Sequence, residues 1–162
     1  MTWTPTMTWT PVNFGEYEGD TLPQIVLDDP HWFFRAMDEK KFRGSLQKEA
    51  EEVRDKATRV KMHGLRMKNS WRVHYCEGFP LSVSVINLAH HSRVSEWRGF
   101  MRTYFDLSAF RSKRGADAIL KVLKENIFGD ENIVLTKDRC EEFFNLDQLF
   151  DVPSKKKQGF YF

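Results

Sequence analysis

Seven cations fall within residues 54–72 (Arg54, Lys56, Arg59, Lys61, Arg66, Lys68 and Arg72) against Asp55 alone. Aromatic side chains run beside and beyond them, at Trp71, Tyr75, Trp97 and Tyr104. Cations neutralise phosphate and flat rings stack on bases, so this mixture suits single-stranded nucleic acid. A second basic run, residues 93–114, adds Arg98, Arg102, Arg111, Lys113 and Arg114. Within it "FRSKRG", 110–115, reads as a loop whose crowded cations fit phosphate. The same cations also suit a solvated face, with the aromatics as core.

Net charge is only +2 because acidic segments offset the basic ones. Residues 16–29 hold five acids and no Lys or Arg, and residues 130–151 hold seven acids against Lys137 and Arg139. Such banding also fits a protein-binding inhibitor or regulator that docks through complementary surfaces, on a host protein or as a homodimer.

Other chemistries find little support. His90 and His91 are adjacent, so on a strand they would point to opposite faces, and neither pairs with His63, His74 or Cys76 at metal-ligand spacing. Cys76 and Cys140 match no redox motif. The carboxylates Asp28 and Asp29 stand before Pro30, where a helix cap explains them better than a two-metal nuclease site. "GEYEG", residues 15–19, lacks the Lys-Ser/Thr of a nucleotide loop. No catalytic residue, metal or cofactor is expected. Without an apolar run of about 20 residues or a leader-like start, no membrane span or signal peptide is expected, and a cytoplasmic location follows.

These residues need a scaffold, and the pattern predicts an α+β fold. "MTWTP" occurs at 1–5 and 7–11 and reads as a duplicated N-terminal arm, whose Trp3 and Trp9 are candidate hydrophobic anchors. Val12–Phe14 suits a short strand turned at Gly15–Gly19, followed by an apolar segment at 22–27. Asp29 is placed to cap a helix begun by Pro30, with Trp32, Phe33, Ala36 and Met37 inward. After Gly44 comes a helix whose Leu46, Ala50, Val53, Ala57 and Val60 share one face. Alternation over 71–87 predicts a β-hairpin around "EGFP". Residues 95–105 fit a helix, with Gly99 leaving a strand open. Helices follow over 116–128 and, capped by Thr136, over 137–150. The tail carries "SKKK" at 154–157, a further source of non-specific attraction.

The stretch Phe14, Gly15, Gly19, Leu22, Ile25 and Trp32 resembles the C-terminal module of exonuclease X-type enzymes and the related quorum-sensing-regulated virulence factor family. The likeness covers residues 12–60, and its core pattern is F-G-K-x-x-G-x-x-L. The resemblance implies a bacterial, phage or plasmid origin. It also implies a miniature core of Phe14, Leu22 and Trp32 behind the glycine turn. Lysine is common in that turn, whereas this chain has Glu16 and Glu18. The resemblance therefore implies a scaffold more than a DNA contact. The chain accordingly divides into an arm (1–11), this module (12–66), a basic α+β region (67–152) and a basic, aromatic tail (153–162). The expected function is a non-catalytic nucleic-acid-binding accessory protein, with DNA favoured over RNA as partner.

Overall fold

The amide of Val12 donates to the Asp20 carbonyl at 2.8 Å, and the Gly19 amide returns to the Val12 carbonyl at 2.8 Å. Those bonds close residues 12–20 into a loop. No strand forms at Val12–Phe14, because both bonds of Val12 reach the far end of the same loop and no ladder extends from them. The computed structural model describes residues 8–78 and 80–152. Arm residues 1–7 with Trp3, Phe79 of the hairpin turn, and the tail with its "SKKK" lie outside the described residues.

The apolar segment after the loop is a short helix, α1 (Leu22–Val26), rather than an extended piece. Its start is fixed from two sides. Gln24 Oε1 accepts from the Thr21 amide at 2.9 Å, and Thr21 Oγ1 donates to Glu141 Oε2 at 2.8 Å, across 120 residues of chain. Helix α2 (Pro30–Asp38) begins as expected, with Asp29 Oδ1 accepting from the Trp32 amide at 3.1 Å. Helix α3 (Ser45–Ala57) buries Leu46, Ala50, Val53 and Ala57 on one face. Full burial of Val53 alone is worth roughly 1.5–3 kcal/mol. Val60 has left the helix and lies in a two-residue strand, β1 (Val60–Lys61).

The predicted hairpin is present as β2 (Trp71–Cys76) and β3 (Ser82–Asn87), antiparallel, with Val73 opposite Val85 and Tyr75 opposite Val83. Residues 95–105 are not helical. They supply β4 (Phe100–Arg102), on the other side of β2, and β5 (Tyr104–Phe105), which pairs with β1. Gly99 explains the choice. Its φ is +87°, and a Cβ there would lie 1.9 Å from the Tyr75 carbonyl oxygen, so the chain crosses β2 at contact distance. Helix α4 (Lys113–Phe128) then packs on α2 and β3, and α5 (Lys137–Asn145) packs on α1.

Both helix starts are capped by side chains, Ser112 Oγ accepting from Gly115 N at 3.0 Å and Thr136 Oγ1 from Arg139 N at 3.2 Å. Among the described residues, five α-helices and small antiparallel sheets make an α+β fold around a buried cluster that runs from Trp9 to Phe150. Trp9 anchors within this same chain, and the Thr10 amide and hydroxyl bond the buried Glu49 at 2.9 and 2.6 Å.

Candidate nucleic-acid interface

Alternation along β2 points Val73 and Tyr75 into the core, where both are fully buried. Tyr75 organises the strand edge beside it. Its hydroxyl donates to the Tyr104 carbonyl at 2.9 Å and accepts from the Asp106 amide at 2.9 Å, joining the β2 sheet to β5. Burial raises its pKa well above the usual phenol value. The Phe100 ring stacks on Tyr75 with centroids 4.9 Å apart, and the Arg102 guanidinium lies 4.9 Å over Phe100. The edge thus ends in a layered stack of phenol, phenyl and guanidinium, with Phe100 and Arg102 exposed.

Two further arginines sit on rings. Arg59 lies 4.9 Å over Tyr104, whose strand neighbour is Lys61, and Arg66 lies 5.9 Å over Trp71. Each such pair is worth about 0.5–1 kcal/mol at an exposed site and restrains the guanidinium over its ring. The strand pairings therefore bring Arg59, Lys61 and Arg102 onto adjoining ribbons, with rings between them.

The remaining nominated cations are spread elsewhere. Arg54 pairs with its exposed neighbour Asp55 at 3.2 Å on α3. Arg72 turns back to the carbonyls of Asn69 and Trp71. Lys68 is exposed. Arg98 lines a cleft of about 320 Å³ with His74, Trp97 and Met101. "FRSKRG" is not a loop throughout, since Lys113 and Arg114 form the first turn of α4. Lys113 is drawn to Asp29 at 3.4 Å and Asp117 at 3.6 Å, so it serves the fold. Arg111, Lys113 and Arg114 are all exposed, and Lys113 and Arg114 line a groove of about 580 Å³ with Asp117, Ala118, Lys121 and Leu81. Lys121 escaped the sequence reading, although it follows Arg114 by seven residues, the spacing of one helix face. Lys56 belongs to the core. It donates to the Phe144 carbonyl at 2.7 Å and pairs with Asp147 at 2.9 Å.

The glycine-rich turn builds a separate aromatic knot. Phe14 stacks on Trp32 at 5.9 Å, Tyr17 meets Trp32 edge-on at 5.1 Å, and Leu22 is fully buried. Gly15, at φ +75°, lies so close that a Cβ would come within 3.2 Å of the Trp32 ring, whereas Gly19 faces open space. Tyr17 donates to Asp29 Oδ2 at 2.6 Å. Burial opposes ionisation of Asp29, yet the Tyr17 hydroxyl, the Trp32 amide and the Lys113 ammonium outweigh it and hold the carboxyl below its usual range. Burial and Asp29 together raise the Tyr17 pKa. Glu16 and Glu18 are exposed on this turn, so its outer surface is acidic.

Among the described residues no three His, Cys, Asp or Glu side chains gather as a metal site. His74 and His91 instead flank Trp97 at 5.2 and 5.0 Å. The buried Cys140 thiol is pushed up to about 11 by burial, a poor state for a nucleophile. No helix among the described residues is long and apolar enough to cross a membrane. Compared with known proteins, the chain matches no family model, no curated protein and no solved structure.

Proposed function

We propose that the protein binds nucleic acid without acting on it chemically, through backbone charge and aromatic stacking. The observation that carries this reading is the set of arginines held over rings, Arg59 on Tyr104, Arg66 on Trp71 and Arg102 on Phe100. A guanidinium resting on a ring can meet phosphate, and its own outward plane is a surface on which an unpaired base can stack. Assignment of residues 12–60 to the exonuclease X C-terminal-like module belongs to the same proposal. The positive φ of Gly15 and Gly19 and the Phe14–Trp32 stack support it.

Fluorescence anisotropy with labelled single-stranded and duplex DNA and RNA tests the reading. Binding is expected at about 50 mM salt and should weaken steeply as salt rises. Absence of binding at that salt would overturn it.

A second reading, docking on a protein partner, draws on the turn at 64–67, where Leu65 and Met67 are 77% and 60% exposed on either side of Arg66. Exposed apolar side chains beside cations suit an acidic, partly apolar protein surface. Salt-insensitive capture of a protein, without nucleic-acid binding, would select this reading instead.

A further inference from the structure

The cleft beside β4 has walls that the charge-based reading does not use. Trp97 stands between two imidazoles, His74 at 5.2 Å and 63°, and His91 at 5.0 Å and 71°. Both contacts are edge-type, so among the described residues no protein ring lies parallel on the indole. His74 is held in place, with Nε2 2.6 Å from the Arg98 carbonyl oxygen. Gly99 presses the lining segment onto β2, because its backbone occupies space that no side chain could share. Val94 and Met101 supply apolar lining, Arg98 is the one charged lining residue, and Phe100 joins the cleft to the Tyr75–Phe100–Arg102 stack.

At about 320 Å³ the cleft lies at the small end of ligand sites, which run roughly 300–1,000 Å³. Its size and flat walls suit one heteroaromatic ring with a phosphate nearby. A base inside a duplex is stacked on both faces and cannot offer one to an indole, whereas an unpaired base can.

From this juxtaposition we infer that the cleft lined by Trp97, His74 and Arg98, with His91 packed against Trp97, seats a single unpaired nucleobase, and that Arg98 meets the adjoining phosphate. The inference rests on the nucleic-acid reading above and adds a preference for single strands. The ring stacks on Trp97 and is bordered by His74, while His91 steadies Trp97 from outside the cleft lining.

The test compares two labelled strands of about twelve nucleotides, a length within reach of one stacking groove. One is oligothymidylate, and the other is an abasic strand of equal charge. The wild-type protein should bind oligothymidylate about 5- to 150-fold tighter, the range expected for one stacked base. Trp97→Leu should reduce oligothymidylate binding to the abasic level and leave abasic binding unchanged. His91→Ala, at an exposed position, should shift it in the same direction by a smaller factor, and it decides the matter if Trp97→Leu does not fold. Equal wild-type binding of both strands overturns the inference together with the stacking half of the reading above, leaving its backbone-charge half, whereas a preference that survives both substitutions overturns the inference alone. Failure to bind either strand overturns the nucleic-acid reading along with it.

Discussion

The Tyr17 hydroxyl donates to Asp29 Oδ2 at 2.6 Å, so the glycine-rich turn is bolted to the residue that caps α2. Asp29 also receives Lys113 from the first turn of α4. Tyr17→Phe should therefore lower stability by about 1.5 kcal/mol, the scale of a hydrogen bond to a charged acceptor. Nucleic-acid affinity should not change. Urea denaturation and anisotropy on the same variant check both halves.

Acid should act on the same carboxylate. Its native pKa lies below the unfolded value of 3.8, so its stabilising contribution is complete above that value. It is lost as pH falls from 3.8 through the lowered native pKa. Asp29→Asn keeps a capping oxygen and loses the charge. The variant should be less stable than wild type at pH 7, and the gap should close below about pH 3.8. Urea midpoints between neutral and strongly acid pH measure the gap, and a constant gap would contradict this account.

Cations should separate into two kinds. Lys56→Met removes the donor to the Phe144 carbonyl and should cost about 1–2 kcal/mol without altering nucleic-acid affinity. Arg59→Ala with Lys61→Ala should instead weaken binding and make its salt dependence shallower, the log–log slope falling by about 0.7 on a single strand, or about 0.9 on a duplex, for each phosphate no longer neutralised. Titrations at several salt concentrations, read beside thermal melts, distinguish the two kinds.

At the start of α4, Arg114→Ala with Lys121→Ala should lower nucleic-acid affinity if the strand runs along that groove, while Lys113→Ala should lower stability more than affinity. Comparing Tm and Kd for these variants checks the division. Equal loss of affinity in all of them would return Lys113 to the binding surface.

Backbone conformation supplies opposite outcomes at two positions. Gly99→Ala combines a positive φ with a clash at the Tyr75 carbonyl and should cost at least about 2 kcal/mol. Lys40 holds φ +56° just past the end of α2, where the Lys41 amide bonds the Ala36 carbonyl at 3.0 Å. Lys40→Gly should therefore stabilise by about 0.5–1 kcal/mol. Thermal melts of the two variants settle each sign.

Much of the fold was legible where local chemistry decides it. Asp29 before Pro30 and Thr136 before an acidic turn mark helix starts, and alternation at 71–76 marks a strand. Residues 95–105 misled because Trp97, Met101 and Tyr104 also fit one helical face. The strands formed there are two and three residues long, too short to show a period. Helix α1 carries a local signal that escaped the sequence reading, Thr21 and Gln24 at capping-box spacing, and Glu141 adds a bond that no local window contains. For the candidate interface, charge was legible and its use was not. Lys56, Lys61 and Lys113 are alike as letters, and only the distant Phe144 and Asp29 reveal which of them serve the fold.

The short strand β1 carries one more consequence. Val60 faces Phe105 on β5 and bridges to Phe150, while the Arg59 carbonyl accepts from the Asp151 amide at 2.7 Å. Lys56, one turn earlier, waits for Phe144. During synthesis, α3 can meet α1 and Thr10 early, but its last turn gains Phe144 only after about ninety further residues have left the ribosome. Until then the end of α3 and the strand after it lack their C-terminal cover, so sealing that end of the core is a late step of folding.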